Sequence, residues 1–242
     1  RQGIGADGIL RVVRSRDVEE FRGMAGRAEF AMDYWNADGS LAEICGNGAR
    51  LFVRYLVEAV TSGRVVEAIG TRGGVVGVQQ RSSGEIALDM GPAHEISGFA
   101  KLEVCMDAGR RWFAKGVRIT NPHAVVNVNN LEEVGSLALK PDVHPITAFP
   151  NGANIEFYQR LGPGHVKMRV YERGVGETRS CGSGACAVVW ACAQDHPDDP
   201  SRVLVDVPGG SLSVEIGIDG HIILEGPATI VCSCGFRWPG GV

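Results

Sequence analysis

The chain has 242 residues, of which 44% are hydrophobic, and carries 24 Lys and Arg against 28 Asp and Glu for a formal net charge of −4. That is enough apolar material for one large domain or two of about 120 residues. The mild acidity and the lack of a dense Lys/Arg cluster exclude nucleic acid and anionic membrane as main partners.

The chain opens on Gly3-Ile4-Gly5-Ala6-Asp7-Gly8, which fits G-x-G-x-x-G. No strand precedes it, Ile9 to Val13 after it reads as a strand, and Asp7 would repel a pyrophosphate, so no dinucleotide is expected. Phe30, Met32 and Tyr34 alternate as a half-buried strand, followed by the polar loop Asn36-Ala37-Asp38-Gly39-Ser40 and then Cys45-Gly46-Asn47-Gly48-Ala49. Ala49, Phe52, Val53 and Leu56 then recur at the spacing of a helix with one buried face. Short β-rich runs follow at Val65 to Ile69, Gly74 to Gln79 and Ile86 to Met90. Gly91 to Arg111 has no clear period, and the domain crossover is placed there. Beyond it, Val117 to Ile119 and Ala124 to Val128 read as strands and Leu131 to Leu139 as a short helix. Taken alone, His123 is a loop histidine, and Asn154, in Asn154-Ile155-Glu156-Phe157, is a turn or strand-edge residue.

Val166, Met168 and Val170 alternate before a second polar loop, Glu172-Arg173-Gly174-Val175-Gly176-Glu177-Thr178. Cys181-Gly182-Ser183-Gly184-Ala185 comes next and repeats the first motif with one substitution, and Ala185, Val188, Val189 and Cys192 repeat the helical spacing. A polar turn at His196 to Pro200 and strands at Val203 to Val207, Leu212 to Ile216 and His221 to Leu224 complete the pass. Glycine, at 34 residues, is roughly twice its average usage and implies many tight turns.

The unit of strand, polar loop, cysteine-glycine turn and helix therefore occurs twice. Such a duplication suggests two similar domains whose helix mouths meet at a shared cleft. At each mouth the unpaired N–H groups and the macrodipole favour a negative charge, so both thiols are expected to ionise more easily. The seven cysteines, 45, 105, 181, 186, 192, 232 and 234, form an odd set in a chain too large to need staples and are read as reduced. Cys105, Cys192 and Cys232 are ordinary small hydrophobes, and Cys232-x-Cys234 is too tight for a zinc site, so no metal is expected. A single buried cysteine needs no explanation beyond packing. Retention of sulfur in both copies does need one, because packing asks only for size and the turn only for glycines.

Two facing thiols suit inversion of a stereocentre beside a carboxylate: one removes a proton from one face while the other supplies one to the opposite face. Backbone N–H groups at Gly46-Asn47 and Gly182-Ser183 would stabilise the anionic intermediate.

Taken together, the two loop-and-cysteine motifs, the opening glycine run, Asn121-Pro122-His123 and Gly226-Pro227-Ala228 make the chain resemble the diaminopimelate epimerase family along nearly its whole length. The resemblance implies cofactor-independent interconversion of LL- and meso-diaminopimelate, in lysine and peptidoglycan-precursor synthesis. It implies an α+β fold of two pseudo-symmetric domains, 1–94 and 95–225, each a curved, mostly antiparallel sheet around a central helix. A final strand near 226–231, within a tail of 226–242, would return to the first domain. Cys45 and Cys181 match the catalytic pair, and Glu172 and His123 match residues that assist it. Asn36, Asn121, Asn154 and Arg173 match side chains that hold the substrate's distal end, while Gly46, Asn47, Gly182 and Ser183 match the anchors of the reacting carboxylate.

Homodimers are common in the family; the only other partner implied is the small-molecule substrate. With no apolar run of about 20 residues and no signal layout, the chain reads as cytoplasmic. It begins at Arg1, where the family has a preceding strand and Gly-Asn loop, and so reads as truncated. Leu51 stands where cysteine is frequent, and Gly8 where some members have glutamine. The alternatives are another amino acid racemase on this scaffold, such as one for histidine, and a non-catalytic anion-binding module. The four distal-end residues favour a substrate with a second polar terminus.

Overall fold

The computed structural model describes residues 5–6, 8–106 and 109–235. Within them, two α-helices, α1 (Gly46–Tyr55) and α2 (Gly182–Asp195), are set against a fourteen-stranded sheet; a separate three-stranded sheet packs nearby. Gly3, Ile4 and Asp7 of the opening glycine run lie outside the described residues. Gly8 begins a strand, Gly8–Arg14, and not a helix.

The duplication read from the motifs recurs in the strand pairing. Phe30–Asn36 runs into α1 and lies parallel to Ala68–Thr71, the strand after that helix. His165–Glu172 runs into α2 by way of a short hairpin and lies parallel to Arg202–Val207. Each post-helix strand continues through two antiparallel turns, to Gly74–Gln80 and Ile86–Pro92 in one copy and to Gly210–Ile216 and His221–Gly226 in the other. The last strands of the two copies then pair with each other, with Leu224 opposite Leu88. One sheet is thereby carried from one copy into the next.

Several elements differ from expectation, each for a local reason. The strand expected at Val65 to Ile69 is Ala68–Thr71, because Val65 is still exposed at the end of the preceding turn. The helix expected over Leu131 to Leu139 is a single 3-10 turn, Leu131–Val134, ended by Gly135 at φ +67°. The returning strand is His221–Gly226, earlier than expected. Pro227 supplies no N–H to extend it, and Cys232 and Cys234 lie exposed beyond it. Pairing with the second copy begins immediately after Pro92, where His94–Glu95 meets Lys115–Arg118. Thr178 and its neighbours, read as loop, form the short strand Gly176–Thr178 folded back on His165–Glu172.

The two helices bury different amounts of surface. α1 packs Ala49, Phe52 and Val53 inward and leaves Tyr55 exposed. α2 shows no such division: Gly182 through Val189, with Ala191 and Cys192, are all buried. Its run of glycine, alanine, valine and cysteine lets strands approach it from several sides. The strand Asn154–Gly162 lies between two cores, with Ile155 and Phe157 facing one and Tyr158 facing the core of the helices. Trp112 meets Phe157 edge-on at 5.5 Å and holds that strand from its far side.

Candidate active site

Both cysteines are N-caps with extended backbones, Cys45 at φ −129°, ψ 110° and Cys181 at φ −126°, ψ 115°. Their carbonyls accept the first helical bonds, from Ala49 N–H at 2.7 Å and Ala185 N–H at 3.0 Å. Cys45 Sγ accepts from Gly48 N–H at 3.3 Å, and Cys181 Sγ lies 3.6 Å from Ser183 Oγ. The two mouths abut: a Cβ built on Gly182 would lie 3.3 Å from Gly46 Cα. Asn47 Nδ2 donates across the junction to the carbonyl of Ser180 at 3.1 Å.

The strands leading into the helices place equivalent residues beside these mouths. Phe30, Met32, Tyr34 and Asn36 share one strand face, and Val166, Met168, Val170 and Glu172 occupy the matching positions of the other copy. Glu172 accepts from the Thr178 hydroxyl, and its charge acts on both Cys181 and Cys45. One carboxylate is thus within electrostatic reach of both sulfurs. Tyr34 favours the ionised form of Cys45, and a Cβ at Gly8 would collide with the Tyr34 hydroxyl. In this chain Tyr34 fills the space beside Gly8.

His123 is fully buried, with Nδ1 at 2.7 Å from Glu156 Oε1 and Nε2 at 2.8 Å from Asn121 Oδ1. The ring is thus gripped from both sides, by Glu156 at Nδ1 and by Asn121 at Nε2. Among the described residues Glu156 Oε2 meets no hydrogen-bond partner, and a Cβ at Gly184 would stand 2.7 Å from Glu156 Oε1. Only glycine fits there. Asn154 is buried and accepts from the Arg173 backbone N–H at 2.9 Å, while Arg173 itself is exposed, its Nη1 donating to the Asn151 carbonyl at 3.2 Å. Asn36, half-buried, is bonded to Ser40 within its own loop at 3.0 Å and lies on the Cys45 side.

Ser183, Glu172 and Glu156 therefore act on Cys181, with His123 and Asn121 linked to it through Glu156; Asn47 follows Cys45 in α1, Asn36 ends the strand that carries Tyr34, and Asn154 is tied to the Arg173 backbone. Sequence reasoning missed Glu156 and Tyr34. The available signals were a lone carboxylate inside the run Ile155 to Tyr158 and a tyrosine two residues before Asn36 on the same strand face.

The electrostatics reverse one expectation. Burial pushes the Cys45 thiol up, Glu172 adds to that, and the Gly48 N–H, Tyr34 and Arg50 offset it only partly. Cys181 is pushed further up by burial and by the Glu172 and Glu156 carboxylates, against Ser183 and the Gly184 N–H. Glu172 is raised as well, by burial and by Glu156. Desolvation outweighs the helix mouths, because exclusion of water penalises the anion more than two or three N–H groups repay. A cavity of about 280 Å³ between Gly164, His165, Cys192 and His196 lies toward the opposite end of α2 and contains neither motif cysteine.

A family model described as diaminopimelate epimerase matches residues 1–96 and 116–231. A diaminopimelate epimerase from Streptomyces coelicolor is 47% identical over 252 residues, covering 100% of this chain and 86% of the relative. One from Thermobifida fusca is 42% identical over 237 residues, covering 96% and 83%. Among solved structures, a hydroxyproline epimerase from Agrobacterium vitis has a TM-score of 0.64 at 16% identity, covering 93% of this chain and 73% of that one. A phenazine-biosynthesis protein of the PhzC/PhzF type from Clostridium difficile has a TM-score of 0.63 at 10% identity, covering 96% and 83%. These two structures show the fold, which is the α+β fold of that epimerase type.

Proposed function

Since the chain belongs to the diaminopimelate epimerase family, and is an isomerase acting on an amino acid, we propose that it converts LL- to meso-diaminopimelate with Cys45 and Cys181 as acid and base. The observation that carries this reading is the contact of the two cysteine helix mouths at Gly46 and Gly182, with Glu172 acting on both sulfurs. A carbon held at that junction has one thiol on each side. The thiolate takes the α-proton, the opposite thiol delivers its own, and the roles exchange in reverse. Each unit by which a thiol's pKa rises narrows its free-energy gap to the far weaker α-carbon acid by about 1.4 kcal/mol, while thinning the thiolate population that acts as base.

The N–H groups of Gly46, Asn47, Gly182 and Ser183 hold the reacting carboxylate, where charge builds up as the proton leaves. Glu172 and the His123–Glu156 pair set the proton balance on the Cys181 side. Asn36, Asn121, Asn154 and Arg173 hold the distal ammonium and carboxylate; a guanidinium suits the latter because its planar fork matches two oxygens. This reading divides the chain at 94/95 into two halves that close on the substrate. It puts the enzyme in the cytoplasm, where thiols stay reduced, and gives its product to lysine and peptidoglycan-precursor synthesis.

The test is deuterium incorporation at the α-carbon of LL-diaminopimelate in heavy water. C45S and C181S should each lower turnover by about 10²-fold or more while the circular dichroism stays unchanged. Retained turnover in both variants rules the mechanism out.

A further inference from the structure

Arg50, in the second turn of α1, is only 4% exposed, yet among the described residues it meets no carboxylate. Its Nη1 donates to the Gly46 carbonyl at 3.3 Å, its Nη2 to Asn47 Oδ1 at 2.8 Å and its Nε to the Pro227 carbonyl at 3.4 Å. Arg72 makes the contrast: it is also largely buried, but lies against Asp33 and Glu20. Removing a guanidinium from water is costly, and an adjacent carboxylate is the ordinary compensation. Burial indeed pushes Arg50 down, and the groups that pull it back up are the sulfurs of Cys45 and Cys186.

The three contacts of the fork also have a direction. Asn47, held at its oxygen by Arg50, uses its nitrogen to reach Ser180, the residue before Cys181. Pro227 directly follows the strand that carries Leu224 across the junction, and a Cβ at Gly226 would stand 3.4 Å from Arg50 Nε. The guanidinium thus ties the mouth of α1, the mouth of α2 and the crossing strand together. A lysine, with one nitrogen, cannot hold all three.

We propose that Arg50 is a positioning residue of the site: its fork braces the two cysteine mouths through Asn47 and Ser180, and its unpaired cation is the fixed counter-charge of the Cys45 sulfur. The charged or titratable groups acting on that sulfur are Glu172, Tyr34 and Arg50, and of these only Arg50 is a cation. The effect on turnover rests on the two-thiol reading above; the effect on Cys45 reactivity does not.

The experiment follows iodoacetamide alkylation of Cys45 against pH by peptide mass spectrometry, without substrate, in the unaltered chain, R50Q and R50K, with kcat and KM for LL-diaminopimelate measured alongside. In R50Q the alkylation midpoint should rise by a few tenths of a pH unit, so that below it Cys45 reacts about twofold more slowly. R50K should keep the midpoint near that of the unaltered chain while kcat falls about tenfold, because charge is retained and the brace is lost. An unmoved midpoint in folded R50Q overturns the proposal, as does an unchanged kcat in R50K. If R50Q does not fold, R50K alone decides by the same criterion. Should the unaltered chain not turn over the substrate, the kcat comparison falls away and the Cys45 midpoints alone judge Arg50.

Discussion

Replacing Gly182 with alanine drives a methyl group into the junction of the two helices. The new carbon would lie 2.7 Å from Leu224 Cδ2, 3.3 Å from Gly46 Cα and 3.7 Å from Gly46 carbonyl carbon. Comfortable carbon–carbon contact is about 3.5–4.0 Å, so Leu224 must leave its position and the Gly46 backbone must retreat by a few tenths of an ångström. Leu224 is fully buried and has little room to turn. Overpacking of this kind costs about 1–3 kcal/mol, of which the better helix propensity of alanine returns at most about 1 kcal/mol.

The same movement widens the gap in which the substrate carbon must touch both thiols, and misplacement on that scale costs about ten- to a hundredfold in turnover. Gly46→Ala is the milder twin, meeting Leu224 at 3.1 Å and Gly182 Cα at 3.4 Å. Melting temperature and kcat should both fall in the order unaltered chain, G46A, G182A, as read by thermal denaturation and deuterium incorporation. A G182A enzyme that melts and turns over like the unaltered chain, or a G46A enzyme that is the worse of the two, refutes the account of abutting mouths.

Glu156→Gln removes a negative charge that raises both Cys181 and Glu172. The limbs of the pH profile of kcat/KM that these groups govern should move to lower pH, and kcat should drop about tenfold with the loss of a charged hydrogen bond to His123; a superimposable profile contradicts this. Asp33 is pushed up by burial, but its bonds to Arg72 and Arg11 outweigh that and leave it below its ordinary value of 3.8. Its contribution to stability is therefore complete above about pH 4 and lost as the pH falls through the depressed value. Asp33→Asn should cost about 2 kcal/mol at neutral pH, because Arg72 loses its buried partner and of its carboxylates keeps only Glu20, and should flatten the acid limb of the melting curve; an unchanged acid limb counts against the pairing. Diamide, as two-electron oxidant, should join Cys45 and Cys181 as both thiols lose their protons, abolishing turnover until dithiothreitol is added. Absence of the crosslinked peptide under full oxidation speaks against facing sulfurs.

Much of the site was legible because it is local. A repeated Cys-Gly-x-Gly-Ala before a helical apolar pattern needs only neighbouring residues to specify an N-cap, and both caps form at the positions read from the spacing. The strands with clear alternation were legible for the same reason. Asn154–Gly162 was not, because it is covered on both faces and shows no alternation of apolar with polar residues, so neither the strand nor Glu156 within it stood out. The helix expected beyond Leu131 failed at Gly135, where a left-handed residue ended it after one turn.

By itself, then, the amino-acid order determined where chain direction changes, which residues cap the helices and which sulfurs occur in duplicate, since these depend on contacts within a few residues. Only the tertiary structure decided that Glu172 acts on both thiols, that Glu156 lies against Gly184, that Arg50 meets no carboxylate among the described residues, and that the thiols are harder to ionise than their helix positions suggest. Each of those depends on how much water the packed halves exclude and which charges they leave close together, and exclusion of water is a property of the assembled core.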